Sequence, residues 1–172
     1  MKKILLLFLV TYFLVVPSVQ AVDYVLPYPS YMPGNPMYKI RQILERAQEY
    51  WYFGDMAKVK YHLKMADKYL VEAKTLFEYG QIRLAVESLD KSNYHFSNAV
   101  LYEDDVVQDK KDSGEQMQEL KNAAEKHTSV IKVLDQELPD TVEWQEEKKE
   151  KEEILLSMLF REATVIRDYA NR

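Results

Sequence analysis

The sequence contains no cysteine, only four glycines and only three histidines among its 172 residues. The absence of cysteine excludes disulfides, thiol nucleophiles and thiolate metal ligands. The scarcity of glycine argues against the many tight turns of an all-β fold, and four of the six prolines are confined to residues 27–36. No glycine-rich phosphate loop, Gly-x-Ser-x-Gly motif or metalloprotease motif occurs. The sequence therefore carries no recognised catalytic motif.

Composition and charge are those of an ordinary globular protein. Apolar residues make up 47% of the chain and charged residues 30%, which is too apolar for a disordered tail and too charged for a membrane bundle. The formal net charge of −5 counts against nucleic acid as the main partner. We therefore expect one folded, acidic domain that binds no nucleic acid and needs no cofactor.

The first 21 residues have the pattern of a secretory signal peptide. Lys2 and Lys3 form a basic start, an apolar run covers residues 4–16, and Ala21 supplies a small residue at the cleavage site. Because a membrane-spanning helix needs about 20 apolar residues, the shorter run favours cleavage near Ala21 over a retained anchor. We predict a bacterial protein that is secreted or periplasmic after cleavage, with a membrane contact only if the signal stays uncleaved.

Proline and tyrosine dominate residues 22–35, and this composition predicts an extended strap ahead of a helical domain at 36–172. Asn35 followed by Pro36 is a strong helix start, with asparagine as the N-cap. Gly54 and Gly80 are predicted to end helices. The predicted helices cover about 36–53, 55–79, 81–108, 113–138 and 140–170.

Three of these helices carry apolar residues at alternating steps of three and four, which keeps one apolar seam facing a partner helix. Long helices with short connections favour antiparallel neighbours. We therefore predict an all-α, up-down bundle of four long helices plus a shorter N-terminal helix. The seams consist of Met56, Val59, Leu63, Ala66, Leu70, Ala73 and Phe77, then Ile82, Ala85, Leu89, Ser92, Phe96 and Ala99, and finally Met117, Leu120, Ala124, His127, Ile131, Leu134 and Leu138.

The last predicted helix has two unlike halves. Residues 143–153 are almost all charged, with Trp144 the one apolar residue, and Ile154 to Ala170 is amphipathic. The charged half predicts a solvated helix that extends past the core. An oligomer-forming coil is the less favoured alternative, because that half lacks a seam.

The histidines form no metal-binding motif, since neither Glu-x-x-His nor His-x-x-x-His occurs. His127 falls on a seam and is predicted to be a core or boundary residue and not a metal ligand. His62 and His95 fall beside their seams and are predicted to lie at the surface or rim. The acidic residues within 103–112 lack the spacing of a calcium-binding loop and predict a solvated connection.

Aromatic residues are concentrated in the strap and at the end of the first helix. One interpretation is a binding platform, because tyrosine and tryptophan are frequent at binding hot spots. The favoured interpretation is that the strap packs on the bundle and covers an open seam, since large exposed aromatic patches are rare without a partner. The possible interaction surface consists of Tyr24, Tyr28, Tyr31, Tyr50, Trp51 and Tyr52.

Residues 33–38, Pro-Gly-Asn-Pro-Met-Tyr, resemble the Pro-Gly-Asp/Asn-Pro-Leu-Tyr signature of an uncharacterised family of exported or membrane-tethered bacterial helical domains. Residues 62–66 and 70–73 resemble that family's second-helix pattern, His-Leu-x-x-Ala followed by Leu-x-Glu-Ala. The resemblance implies export and a helical fold, and it implies no activity. The residues of this motif also have predicted structural roles. Gly34 turns the strap, Asn35 caps the helix, Pro36 starts it, and Tyr38 packs the strap against the bundle.

These observations favour a non-enzymatic helical module that has an interaction or structural role in a bacterial cell envelope. Its partner would be an unknown envelope protein or a second copy of the chain. The alternative is an extracytoplasmic bundle that binds a small ligand or a metal ion, which a buried cluster of acids around His127 would support. A hydrolase is a third, weaker hypothesis, because the sequence indicates no set of nucleophile, base and orienting residue.

Overall fold

The computed structural model describes residues 24–108, 114–145 and 150–171. This part of the chain forms an all-α bundle with one small β-hairpin, which confirms the predicted fold class. The predicted signal peptide at 1–21 and the first residues of the strap lie outside the described residues. The elements are, in order, α1 (Pro36–Glu49), α2 (Asp55–Glu78), α3 (Ile82–Gln108), α4 (Gly114–Glu137), β1 (Thr141–Gln145), β2 (Lys151–Leu155), α5 (Leu156–Asp168) and a 3-10 turn (Tyr169–Asn171).

The predicted seams form the core of the bundle. α2 packs against α3 and α4, and α5 packs against α4 and α3. Leu70, Leu89 and Ile131 are at most 1% exposed and belong to one apolar cluster. Phe77 and Phe160 join this cluster, with their rings edge to face and their centroids 5.4 Å apart. Because burying one such side chain contributes about 1.5–3 kcal/mol, the seams supply the main driving force for folding.

None of the helices within 24–108, 114–145 and 150–171 combines the length and the apolarity that crossing a membrane requires.

The corner between α2 and α3 depends on Gly80. The N–H of Gly80 donates to the carbonyl of Phe77 at 2.9 Å, and the N–H of Gln81 donates to the carbonyl of Leu76 at 2.9 Å. This pair of bonds closes the end of a helix when the intervening residue is left-handed, and Gly80 has a φ of 68°. The α2–α3 corner therefore needs a residue that tolerates positive φ.

We expect Gly80→Val to lower the free energy of unfolding by about 1–2 kcal/mol, measured by urea denaturation, because a side chain disfavours the left-handed region. A Cβ at this position would meet no atom within 4 Å, so the loss would come from the backbone and not from a clash. Gly80→Asn is the matched control, because asparagine tolerates this conformation and should cost less. Equal losses for the two variants would contradict this explanation.

The start of α1 is set by its own sequence. Asn35 has extended backbone, and its side-chain oxygen accepts the N–H of Met37 at 2.9 Å, while Pro36 occupies the first helical position. Gly34 turns the chain just before this cap with a φ of 100°. A second positive φ, of 85° at Gly54, separates α1 from α2. α1 itself ends at Glu49, ahead of the predicted boundary at 53.

The predicted helix at 140–170 requires a correction over its first half. Residues 141–145 and 151–155 pair as antiparallel strands, with Val142 opposite Ile154, and α5 begins only at Leu156. Val142 and Trp144 favour a strand by type, and both pack against the core together with Ile154. The many charged residues of this segment hid the strand pattern of its few apolar residues in the sequence. The neighbouring residues 146–149 lie outside the described part of the chain.

Candidate functional site

α1 faces the bundle with its polar side. Tyr38 and Glu45 are its buried residues. The phenol of Tyr38 donates to the carboxylate of Glu72 at 2.7 Å, and the ammonium of Lys68 lies 2.6 Å from a carboxylate oxygen of Glu45. The phenol of Tyr61 donates to the backbone carbonyl of Glu45 at 3.1 Å. Specific polar contacts therefore attach α1 to α2.

The opposite side of α1 exposes apolar residues. Ile40, Ile43 and Leu44 are between 51% and 67% exposed. An amphipathic helix ordinarily turns its apolar face toward a partner, so this orientation marks a candidate contact surface. The sequence prediction missed the helical part of this surface, although its spacing is visible in the sequence. The surface, called the α1 face below, consists of Met37, Ile40, Ile43, Leu44, Tyr50, Trp51 and Phe53.

The strap packs on the bundle through some of its residues and leaves others in solvent. The phenol of Tyr24 donates to the carboxylate of Asp67 at 2.7 Å, and Leu26 and Met32 pack against the core. Tyr28 is 96% exposed and Tyr31 is 49% exposed. Tyr24 therefore packs against the bundle, whereas Tyr28 and Tyr31 are exposed to solvent.

The aromatic residues after α1 divide in the same way. Tyr50 and Trp51 are 79% and 72% exposed and belong to the α1 face. Tyr52 is half-buried, and its ring lies 5.2 Å from the ring of Tyr61. The six residues of the predicted interaction surface therefore differ in exposure: Tyr24 and Tyr52 are half-buried, and the other four are exposed.

His62 of α2 and His95 of α3 meet between the two helices. Their Nδ1 atoms lie 2.9 Å apart, and their ring centroids lie 5.1 Å apart. His62 is only 2% exposed, which corrects the expectation that it lies at the surface. The reason is that α2 and α3 form a hairpin about the Gly80 corner, so residues beside the two seams face each other.

Tyrosine rings enclose this histidine pair. Tyr102 stacks on His62 with the centroids 5.4 Å apart, and Tyr69 stacks on His95 at 5.6 Å. Burial, with Lys58 as a smaller cause, lowers the pKa of His62 to about 4. Burial and the neighbouring His62 lower the pKa of His95 to about 4. The cluster, called the His–Tyr cluster below, consists of Tyr61, His62, Tyr69, Tyr94, His95 and Tyr102.

A cavity of about 330 Å³ lies beside the His–Tyr cluster. α1 contributes Glu45 and Arg46 to its lining, α2 contributes Met65, and α3 contributes Lys91 and His95. The cavity therefore places charged, aromatic and thioether groups around one histidine of the pair.

We expect the free energy of unfolding to fall as the pH drops from 6.5 toward 4. In this window the unfolded chain protonates His62 and His95, whose folded pKa values are about 4, so acid favours unfolding. A histidine that is protonated only in the unfolded chain changes the free energy of unfolding by about 1.4 kcal/mol per pH unit. His95 is partly exposed and contributes less. Urea denaturation at several pH values measures this slope.

The control for this slope replaces both histidines with phenylalanine. We expect the double variant His62→Phe/His95→Phe to show a flatter pH dependence. Some slope should persist, because burial also lowers the pKa of His127. An unchanged slope would show that His62 and His95 do not contribute to the pH dependence of the free energy of unfolding.

A buried charged network lies on the other side of α2. One carboxylate oxygen of Asp67 lies 2.7 Å from Nε2 of His127, and the other accepts the Tyr24 phenol. The Nε of Arg167 approaches Nδ1 of His127 at 3.4 Å, and its Nη2 donates to the hydroxyl of Ser92 at 2.8 Å. Since guanidinium only donates, Nδ1 of His127 accepts and Nε2 donates to Asp67. This set is called the Asp67 network below.

The Asp67 network contains the buried acid that would support a metal site at His127. Arg167, which belongs to the same network, argues against a metal site at His127. It is 0% exposed and places a positive charge beside the histidine. The network joins the strap, α2, α3, α4 and α5, and its chemistry fits a structural clamp. Over the described residues, no group of three or more His, Asp or Glu side chains is arranged to hold a metal ion.

The fold and these clusters define a small all-α domain whose polar interior groups bind one another. The chain belongs to a family described as a domain of unknown function (DUF5667), whose model matches residues 30–141. This match confirms the predicted relation to an uncharacterised domain family. The α1 face and the His–Tyr cluster lie within the matched region, whereas Arg167 lies beyond it.

Neither the curated proteins nor the solved structures that were compared with the chain show a significant match.

Proposed function

We propose that the chain is an exported, non-enzymatic interaction module of the bacterial cell envelope, and that it binds a partner protein through the α1 face. The observation that carries this proposal is the outward orientation of the apolar side of α1. The signal-peptide pattern of residues 1–21 supports the extracytoplasmic location.

The α1 face exposes a large apolar area to water. Tyr50, Trp51 and Phe53 are between 72% and 83% exposed. At about 150–250 Å² for each aromatic side chain, these three alone expose on the order of 400 Å². The largest apolar patch of a typical monomer is about 300–600 Å², and four half-exposed aliphatic residues enlarge this one further. This area is comparable to the largest apolar patches of monomers, which are often functional.

The chemistry of the α1 face favours a protein groove as its binding partner. Met37, Ile40 and Leu44 follow the spacing of helices that insert their apolar side into a groove. Trp51 and Tyr50 are of the residue types that dominate binding hot spots. The exposed basic residues Lys39 and Arg46 lie on the same helix as the face. The whole chain, in contrast, carries a net charge of −5 and would be repelled by an anionic bilayer. We infer a partner whose apolar groove has acidic side chains at its edge.

The attachment of α1 supports this role. The ion pair between Glu45 and Lys68 and the hydrogen bond from Tyr38 to Glu72 are buried. These contacts hold α1 as a formed helix before any partner arrives. Such preorganisation lowers the entropy cost of binding.

Site-specific photo-crosslinking in the native envelope tests the proposal. A photoreactive residue at Leu44, which is 57% exposed, should yield an adduct with one protein. The matched control at Val133 of α4, which is 44% exposed, should not yield this adduct. The additional change Ile40→Asp should abolish the Leu44 adduct without unfolding the domain.

Three outcomes would overturn the proposal. Equal adducts from Leu44 and Val133 would show that the α1 face is not a specific surface. An adduct between two copies of the chain would assign the face to self-association. An adduct with lipid alone would assign it to the membrane surface.

A further inference from the structure

We propose that His62 and His95 form a two-coordinate binding site for a soft monovalent metal ion, Cu(I). The site lies between α2 and α3 and is independent of the α1 face. The ion would be bound by the two Nδ1 atoms, with the tyrosines of the His–Tyr cluster around them.

The orientation of the two rings is the main observation. The centroids lie 5.1 Å apart and the Nδ1 atoms 2.9 Å apart. The difference is close to the sum of the two ring radii, so the rings point toward each other head to head. The in-plane bonding directions of the two Nδ1 atoms therefore lie close to one line. Two nitrogen ligands on one line are the arrangement that d¹⁰ monovalent ions such as Cu(I) and Ag(I) prefer.

The two histidine rings must move slightly apart before an ion fits between their Nδ1 atoms. Bonds of about 2 Å from each nitrogen to the ion would place the two nitrogens about 4 Å apart, against 2.9 Å here. An outward movement of about 0.5 Å at each ring satisfies this distance. A structural zinc site instead requires four ligands in a tetrahedron. Among the residues described here, no third His, Asp or Glu side chain completes such a set.

Proton balance is compatible with binding of a metal by neutral imidazole. At present one Nδ1–H donates to the other Nδ1. On metal binding this hydrogen moves by exchange with solvent to Nε2 of the same ring, so both histidines remain neutral ligands and the protein releases no proton. The cavity beside His95 offers the route for the ion and for this exchange.

The surroundings favour a soft ion of low charge. The stacked rings of Tyr102 and Tyr69 limit contact of the pair with water. Met65 follows His62 by one turn of α2 and lines the same cavity as His95, so a thioether that suits Cu(I) is available there. The ammonium of Lys68 lies 4.3 Å from the Tyr69 ring centroid and would repel a divalent ion more than a monovalent one.

Cu(I) competition against a chromophoric chelator tests this site on the purified domain without its signal residues. We expect one tightly bound Cu(I) per chain under anaerobic, reducing conditions. His62→Phe and His95→Gln should each weaken Cu(I) binding by about 100-fold or more, since each removes half of the ligand set. The matched control is Met158→Leu, because Met158 is 64% exposed on α5 and its loss should leave this affinity unchanged.

A spectroscopic measurement on the unmodified chain makes the test independent of folding in the variants. We expect Ag(I), as a redox-inert substitute, to shift the ¹⁵N resonances of Nδ1 in both His62 and His95 and to leave those of His127 in place. Shifts confined to other residues would overturn the proposal. Equal affinity for Zn²⁺ and Cu(I), or Cu(I) binding that survives both histidine changes, would also overturn it.

Discussion

Replacing Leu89 with aspartate is expected to unfold the domain at 25 °C. Leu89 of α3 is 1% exposed and packs in the cluster that contains Leu70, Ile131 and Phe160. Loss of the leucine side chain costs about 2–5 kcal/mol, and burial of a carboxylate adds a further penalty. The sum approaches the whole stability of an ordinary domain, about 5–15 kcal/mol. Far-UV circular dichroism and thermal melting measure this effect.

The control for Leu89→Asp lies on the same helix. Leu101 is 60% exposed, so Leu101→Asp should change the free energy of unfolding by no more than about 0.5 kcal/mol. A Leu89→Asp variant that melts like the wild type would show that the seam of α3 has been assigned to the wrong face.

Replacing Asp67 with alanine is expected to lower the free energy of unfolding by about 3–5 kcal/mol, measured by urea denaturation. The change removes the acceptor of Tyr24 and of His127. It also leaves the buried guanidinium of Arg167 without its neighbouring negative charge. Breaking one side of a buried charge pair has this magnitude because the remaining charge is uncompensated.

Two further variants separate this explanation from a general effect of losing an aspartate. Asp135→Ala, on the exposed side of α4, should be nearly neutral. Adding Arg167→Met to Asp67→Ala should cost less than the sum of the single changes, because the two residues belong to one network. Strict additivity would contradict the coupling of Asp67 and Arg167.

The helical part of the fold could be predicted because its signals are local. The alternating steps of three and four identify Leu63, Leu89 and Leu120 as core residues, and each is buried. Gly80 ends α2 with positive φ, and Asn35 caps α1 with its side chain. These features depend on neighbours within one or two helical turns, which a sequence pattern records.

The hairpin of β1 and β2 could not be predicted by the same reasoning. Its residues are dense in charge, and alternating charges along a chain also fit a solvated helix. The strand pairing places Lys151 opposite Gln145 and diagonally across from Glu143, with 2.8 Å between the Lys151 ammonium and a Glu143 carboxylate oxygen. Only docking of Trp144 and Ile154 on the core reveals which side of this segment is apolar.

The candidate sites show a similar division. The spacing of Met37, Ile40 and Leu44 indicates an amphipathic helix, but it does not indicate whether the apolar side faces inward or outward. Tyr38 and Glu45 determine that orientation, because they bind Glu72 and Lys68 of α2 and so place the polar side of α1 against the bundle. Prediction from aromatic content alone therefore included Tyr50 and Trp51 and did not include the helical part of the α1 face.

The sequence by itself determined the helical class, the apolar seams, the caps and corners, and the relation to an uncharacterised family, because these features follow from residue types at short spacing. The tertiary structure decided the pairing of His62 with His95 and of Asp67 with His127, which are 33 and 60 positions apart. It also decided the outward orientation of α1. Such contacts depend on how complete helices pack and on which buried polar groups satisfy one another, and no local pattern in the chain specifies that packing.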